Sequence, residues 1–329
     1  MSQRPLAMIL GTGHATPEKI LTNTDLEKIV DTSDEWITTR TGIRQRHVAE
    51  PGTPLSELAT AAARKALDDA HVEPEELDLI IVGTVTGDMK FPASACLIQQ
   101  QLGAKQAAAF DVSAACSGFL YGLQIAEGLM TVNGYQRVLL IGGEVLTSMV
   151  DWQDRDTCVL FGDGAGAVIL GPAKDGRGVL HANMFCDGNH SRLLYNAGGG
   201  SLNPPSPENI ASGVHAIKME GQEVFRHAVV SMCTALKKAL KQANLTVEDL
   251  DLLIPHQANL RIIEAVGKRF KIAEEKVFVN VDRYGNTSAA SIPIALDEAF
   301  RSRRIQKGSL VAMVTFGAGF TWAASIIRI

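Results

Sequence analysis

The sequence predicts an α/β fold made of two copies of one plan. Three observations carry this. The segment RKALDDAHVEPEELDLIIVG (64–83) aligns without a gap on KKALKQANLTVEDLDLLIPH (237–256), with nine of twenty positions identical. The run DVSAACSGFLYGLQIA (111–126) has a counterpart in VDRYGNTSAASIPIAL (281–296). In the same order, LFGDGAGAVILG (160–171) is echoed by TFGAGFTWAASII (315–327). A repeat of several elements in one order points to a duplicated architecture. The halves are 1–172 and 173–329.

Each copy of the first repeat reads as the end of an amphipathic helix, a turn, and a short buried strand at 79–82 or 252–254. Each copy of the second is a turn leading into a helix of small residues with few charges, and a helix without a polar face belongs in the interior. Each copy of the third is a glycine-rich turn between apolar, strand-like runs. Alternating helices and strands predict a mostly parallel sheet in each half, covered by helices. The stretch 172–218, with Gly198-Gly199-Gly200 and Pro204-Pro205-Ser206-Pro207, is the least regular. It reads as a surface excursion of the second half and not as an interdomain tether.

Composition narrows the function. With 46% hydrophobic and 20% charged residues, the chain of 329 residues has enough apolar content for a large core. A net charge of −5 gives no global basic field for nucleic acid. No apolar run reaches the length of a membrane span, and the stretch at 6–10 is too short for a secretory leader. The five cysteines (96, 116, 158, 186, 233) are scattered, odd in number and without a Cys-x-x-Cys pair. That argues against a disulfide framework or a zinc site and for a reducing cytoplasm.

Chemistry centres on Cys116. An apolar run leads into Ala114-Ala115-Cys116-Ser117-Gly118, so the thiol falls where a strand turns into a helix. The N–H groups at a helix start favour a thiolate and can hold an oxyanion. The plain alternative is a buried core cysteine. His256 ends the repeated strand of the second half, followed by polar Gln257-Ala258-Asn259, and Asn286 precedes its buried helix. Strand ends and helix starts are where α/β sheets carry sites. A core histidine and a turn or N-cap asparagine remain the alternatives for these two.

Seven motifs together resemble the thiolase-like condensing enzymes, and among them the β-ketoacyl-acyl carrier protein synthase III family. They are LTNTDLEK (21–28), DEWITTRTGIRQR (34–46), AACSGF (114–119), DRDTCVLFGDGAGA (154–167), PHQANLRI (255–262), YGNTSAAS (284–291) and FGAGFTW (316–322). The resemblance covers essentially the whole chain. It implies a thiolase-like fold of two duplicated α/β halves with mixed sheets and buried helices. Degradative thiolases carry a second cysteine in the C-terminal glycine-rich turn, and elongating synthases a second histidine in place of Asn286. This chain has neither.

The resemblance implies decarboxylative condensation of a short acyl-CoA, such as acetyl-CoA, with malonyl-acyl carrier protein, initiating fatty-acid synthesis. A synthase priming a polyketide is the same-fold alternative. A non-catalytic acyl-CoA or carrier-protein binding module is the alternative of another class, and the intact Cys116, His256 and Asn286 speak against it. In this reading Cys116 is the nucleophile, while His256 and Asn286 stabilise the enolate left by CO₂ loss. The backbone N–H groups of Cys116 and Ala318 form an oxyanion hole. Many relatives have glycine at position 318, so the donor requires a backbone that alanine tolerates. Trp36, Arg40 and Arg155 grip the nucleotide end of coenzyme A, and Thr32, Phe225 and Asn259 line the tunnel for its pantetheine arm. Arg261, Lys268 and Arg269 receive the acidic carrier protein. Phe91 reaches across a homodimer to close the partner's acyl pocket. No metal or organic cofactor is implied, since coenzyme A enters as a thioester substrate.

Overall fold

The computed structural model describes residues 7–329. Residues 1–6, which the sequence reading assigns to the first half and which include the start of the apolar stretch 6–10, lie outside them. The first half runs β1 (Ala7–Ala15), α1 (Asp34–Thr41), α2 (Leu55–Ala70), β2 (Leu79–Gly83), α3 (Ser94–Leu102), β3 (Ala108–Val112), α4 (Gly118–Asn133), β4 (Val138–Val145) and β5 (Asp163–Pro172). The second runs β6 (Gly178–Cys186), α5 (Gly221–Ala243), β7 (Leu252–Pro255), α6 (Leu260–Phe270), α7 (Ser291–Arg301), β8 (Leu310–Gly317) and β9 (Thr321–Arg328).

The first sheet has the order β1-β5-β4-β2-β3 and the second β7-β8-β9-β6. Read from the other edge, the second order repeats the first. A parallel bridge between Leu253 and Val277 stands where the fifth strand would be. The repeat extends to helix ends. Helix α2 stops at His71 with φ 52° and α5 stops at Asn244 with φ 55°, each cap turning the chain by the same left-handed step into the following strand.

Five layers result. Helices α2 and α3 cover the outer face of the first sheet, and α5 and α6 that of the second. Between the sheets lie α4 and α7, whose side chains form one core with Leu79, Ile81, Leu140, Leu252, Ile254 and Met313. Helix α7 also packs on β1 and β5, so the halves are joined through the interior.

Three expectations need correction. The sheets are mixed, not mostly parallel: β1 with β5, β5 with β4, β8 with β9 and β9 with β6 are antiparallel. Strands β8 and β9 are joined by residues 318–320 alone, too short for the crossover that a parallel pair needs. The stretch 172–218 is not all excursion, because 178–186 is edge strand β6; its burial does not alternate cleanly, so it lacks a period-two signal. The second repeat is also shifted. The turn at Ala115–Ser117 matches the turn at Ser288–Ala290, with φ 47° at Ala115 and 49° at Ser288. Thus Cys116 corresponds to Ala289, in the same register as the first repeat. In the third, the glycines of 163–166 lie within β5 itself, whereas 318–320 is a hairpin turn.

The inner turns touch β4 and β8 backbone to backbone. A methyl group on Gly142 would fall on the Ala289 carbonyl, and one on Gly317 would lie 2.7 Å from the Cys116 nitrogen. Gly142→Ala should therefore lower the melting temperature by roughly 1–4 °C, as overpacking of about 1–3 kcal/mol implies for a chain of this size. Gly128→Ala, at an exposed helical site with open space around it, should raise it by roughly 1–3 °C. Differential scanning calorimetry of the pair reads both signs.

Candidate active site

The motifs from both halves meet around one cavity of about 660 Å³, lined by Cys116, His256, Asn286, Trp36, Arg40, Phe225, Asn259 and Arg261 among others. Cys116 is 8% exposed and sits in the turn that opens α4. The turn is clamped from the second half: Thr315 Oγ1 donates to the Cys116 carbonyl at 3.0 Å and Thr321 Oγ1 to the Ala114 carbonyl at 2.9 Å. The expected thiolate is not the resting state. Burial pushes the Cys116 thiol up to about 12, and the hydrogen bonding of Ser288 and of its own amide offsets that only in part. The helix start cannot compensate for a sulfur removed from water.

Among the described residues, neither the Cys116 nor the Ala318 N–H donates to another residue; the Cys116 N–H turns to its own sulfur. Ala318 is absent from the positive-φ residues, which include Gly319 at 135°. The requirement raised by alanine at position 318 is therefore met.

His256 directly follows β7, with its N–H donating to the Val314 carbonyl at 2.8 Å. Its Nδ1 lies 2.6 Å from Ser291 Oγ, which also accepts weakly from the Gln257 N–H at 3.4 Å. A hydroxyl has a second lone pair, so both directions are open at Nδ1; donation by Ser291 is the one that puts the ring proton on Nε2. Burial alone drives the imidazole pKa down to about 3, so the ring is neutral. Asn286 precedes the turn into α7. Its N–H donates to the Leu160 carbonyl at 2.8 Å, and its Oδ1 accepts from the Ser288 N–H at 2.9 Å, leaving the Nδ2 donors unassigned. The site thus combines a buried thiol, two polar side chains and two backbone N–H groups that no other residue engages.

The mouth carries the other predicted residues. The Arg40 and Arg155 guanidinium groups lie 4.4 and 4.7 Å from the centre of the Trp36 ring, and Arg261 lies 5.8 Å from that of Phe225. Asn259 caps α6 through Arg261 N and donates to the Arg40 carbonyl at 3.2 Å. Thr32 is not among the lining residues; its hydroxyl is buried without a partner. Lys268 pairs with Glu264 at 3.3 Å, and Arg269 is exposed beside it. Phe91 is 85% exposed and away from this cavity.

Sequence reasoning passed over Ser288, Ser291, Thr315 and Thr321, single hydroxyls that carry no pattern of their own. It also passed over Arg46, fully buried, whose Nη2 holds the Val159 carbonyl at 2.7 Å below the Phe161–Asn286 bridge.

Residues 110–188 match the family 3-oxoacyl-[acyl-carrier-protein] synthase III, and residues 240–329 match its C-terminal part. The chain is 55% identical to the beta-ketoacyl-[acyl-carrier-protein] synthase III of Caldanaerobacter subterraneus subsp. tengcongensis, covering 100% of this chain and 99% of that one. It resembles the crystal structure of 3-oxoacyl-[acyl-carrier-protein] synthase III from Aquifex aeolicus VF5 with a TM-score of 0.92 at 48% identity, covering 98% and 100% of the two chains. The priming beta-ketosynthase of the R1128 polyketide pathway is similar at 36% identity with a TM-score of 0.91, covering 100% and 98%.

The position of the His256 ring proton can be seen directly. Nitrogen-15 spectra of histidine-labelled protein should show one ring in the Nε2–H form, unchanged between pH 5 and 8, because a group lowered to about 3 stays neutral throughout. Ser291→Ala should convert that signal to a mixture of tautomers. A titration near the ordinary histidine pKa would contradict the burial argument.

Proposed function

This chain belongs to the β-ketoacyl-acyl carrier protein synthase III family, and we propose the residue roles by which it condenses an acyl-CoA with malonyl-acyl carrier protein to initiate fatty-acid synthesis. The observation that carries the roles is the convergence of Cys116, His256 and Asn286 on one cavity from both halves. The curated synthases III at 53–55% identity over nearly the whole chain, a level the polyketide-priming enzyme at 36% does not reach, favour the fatty-acid role.

Cys116 attacks the acyl-CoA carbonyl, and exchange between two thioesters costs little free energy. The Cys116 and Ala318 N–H groups hold the oxyanion of that step. Once coenzyme A has left, the malonyl thioester takes its place. Loss of CO₂ puts negative charge on its thioester oxygen, where the His256 Nε2–H and Asn286 Nδ2–H donors stabilise it. A neutral imidazole suits this role, since it donates without having to give up its proton. The carbanion then attacks the acyl group on Cys116. Decarboxylation supplies the carbanion, so this route calls for no metal or organic cofactor.

Trp36, Arg40 and Arg155 hold the nucleotide of coenzyme A by stacking and phosphate pairing. Phe225 and Asn259 guide the pantetheine arm. Thr32 lies behind this surface and its part in the tunnel is the weakest of the set. Arg261, Lys268 and Arg269 form the docking face for the carrier protein. A homodimer is supported by the apolar loop that exposes Val85, Met89 and Phe91, and Phe91 at a partner's acyl pocket would select short primers such as acetyl. Among the described residues no helix is long and apolar enough to cross a membrane. A cytoplasmic location is proposed on the cysteine pattern.

Intact-protein mass spectrometry after mixing with acetyl-CoA should show one added acetyl group, absent in Cys116→Ala. His256→Ala should still become acetylated yet lose decarboxylation of malonyl thioester by on the order of 10²–10³. Decarboxylation at the original rate would make His256 structural. Lys268→Glu with Arg269→Glu, both outside the cavity lining, should raise KM for malonyl-carrier protein at low salt and leave acetyl-CoA acetylation near normal. An unchanged KM would remove the docking face.

A further inference from the structure

Glu144 lies near the end of β4, 0% exposed, and the chemistry above leaves it unused. Its carboxylate accepts from the Thr84 hydroxyl at 3.1 Å, from the N–H groups of Val85 and Thr86, and from the Thr86 hydroxyl. A further donor is the Ser288 hydroxyl, at 3.2 Å from Oε1. The same hydroxyl neighbours Cys116: it can accept from the thiol S–H while its own proton goes to Glu144, and turned to the sulfur it favours the thiolate. Ser288 is fixed between the two, because its N–H is tied to Asn286 Oδ1 at 2.9 Å. A buried thiol and a buried carboxylate therefore share one hydroxyl.

We propose that Glu144 takes the Cys116 proton through Ser288 during acyl transfer, holds it on the acyl-enzyme, and returns it when the condensed product leaves. This rests on Cys116 being the acyl acceptor. As Sγ bonds to the acyl carbon, its S–H bond breaks; Ser288 Oγ takes that proton and passes its own to Glu144. The bond from the acyl carbon to the coenzyme A sulfur then breaks, and that thiolate draws a proton from water. In the second half-reaction the bond from the acyl carbon to Cys116 breaks, and the stored proton returns through Ser288 to Sγ. Cys116 and Glu144 end as they began, and the single proton consumed resides on coenzyme A.

Two physical arguments support the relay. An ionised Glu144 opposes a Cys116 thiolate, so deprotonation to solvent would leave two buried anions together. Passing the proton to Glu144 means that Glu144 and Cys116 never carry two negative charges together. Burial also pushes the Glu144 carboxyl up to about 7, where a proton acceptor works best near neutral pH. The groups facing Glu144 are Thr84, Val85, Thr86 and Ser288 by hydrogen bond and Cys116 by charge. Asp163 on the neighbouring strand pairs opposite Val145 and is engaged by Ala49 and Thr147 on the other face of the sheet.

The test is the pH dependence of single-turnover acetylation of Cys116 by acetyl-CoA, followed by rapid quench and mass spectrometry. In the unaltered enzyme the rate should rise through about pH 7 and level off, as Glu144 ionises. In Glu144→Gln this inflection should vanish, with the rate at pH 7.5 lower on the order of 100-fold and still climbing at pH 9. Ser288→Ala should reproduce the loss while decarboxylation of malonyl thioester persists. Melting temperature and coenzyme A binding are read alongside. An unaltered profile shape in folded Glu144→Gln and Ser288→Ala would overturn the relay. No acetylation of Cys116 in the unaltered enzyme would instead overturn its role as nucleophile.

Discussion

The structure depends on backbone packing between two duplicated turns and the strands that face them. Glycine at 142 admits the Ala289 carbonyl, and glycine at 317 admits the Cys116 amide. Side chains at either place would hold the halves apart. Each turn also contains a residue other than glycine in the left-handed region, Ala115 and Ser288. Such a residue costs on the order of 1–2 kcal/mol and survives where its surroundings over-determine it. Here Thr315 and Thr321 fasten the first turn, and Asn286 Oδ1 fastens the second. The proposed nucleophile, Cys116, comes from one turn and the proposed stabilising amide, Asn286, from the approach to the other, so docking the halves assembles the site.

Burial shapes the electrostatics in one direction. The thiol is pushed up, the imidazole down and the Glu144 carboxyl up, each toward its neutral form. Donors in such surroundings interact strongly with a charge that appears during reaction, since little water competes. The same dryness rules out a standing thiolate. Activation has to accompany attack, which is why the path of the Cys116 proton matters more here than at an exposed cysteine.

Much of this was legible in the sequence, for identifiable reasons. The duplication showed because 64–83 and 237–256 need the same helix, cap and strand, and the Cys116, His256 and Asn286 motifs stand at the ends of those units. Strand direction was not legible, because it depends on connection geometry; the three-residue link between β8 and β9 decides it. Strand β6 was missed because an edge strand with mixed burial gives no period. The register of the second repeat was missed because 281–296 can be slid by three residues without losing its small-residue character, and only the backbone at Ala115 and Ser288 fixes it. The supporting hydroxyls were invisible for a further reason: a serine acquires meaning from what lies across from it, and Ser291 lies across from a histidine 35 positions away.

The arrangement at the mouth bears on how quickly the enzyme can turn over. Two guanidinium groups lie over the Trp36 ring. An arriving purine therefore exchanges one stacking partner for another, and the net gain is smaller than its contact area suggests. A weak hold of this kind is an advantage for a two-substrate cycle in a single tunnel. The first carrier has to vacate the cavity before the second can enter, and the arginines reclaim the indole as it departs. On the proposed roles, residence time would be set by a competition inside the protein, between the nucleotide and the two arginines for one indole ring.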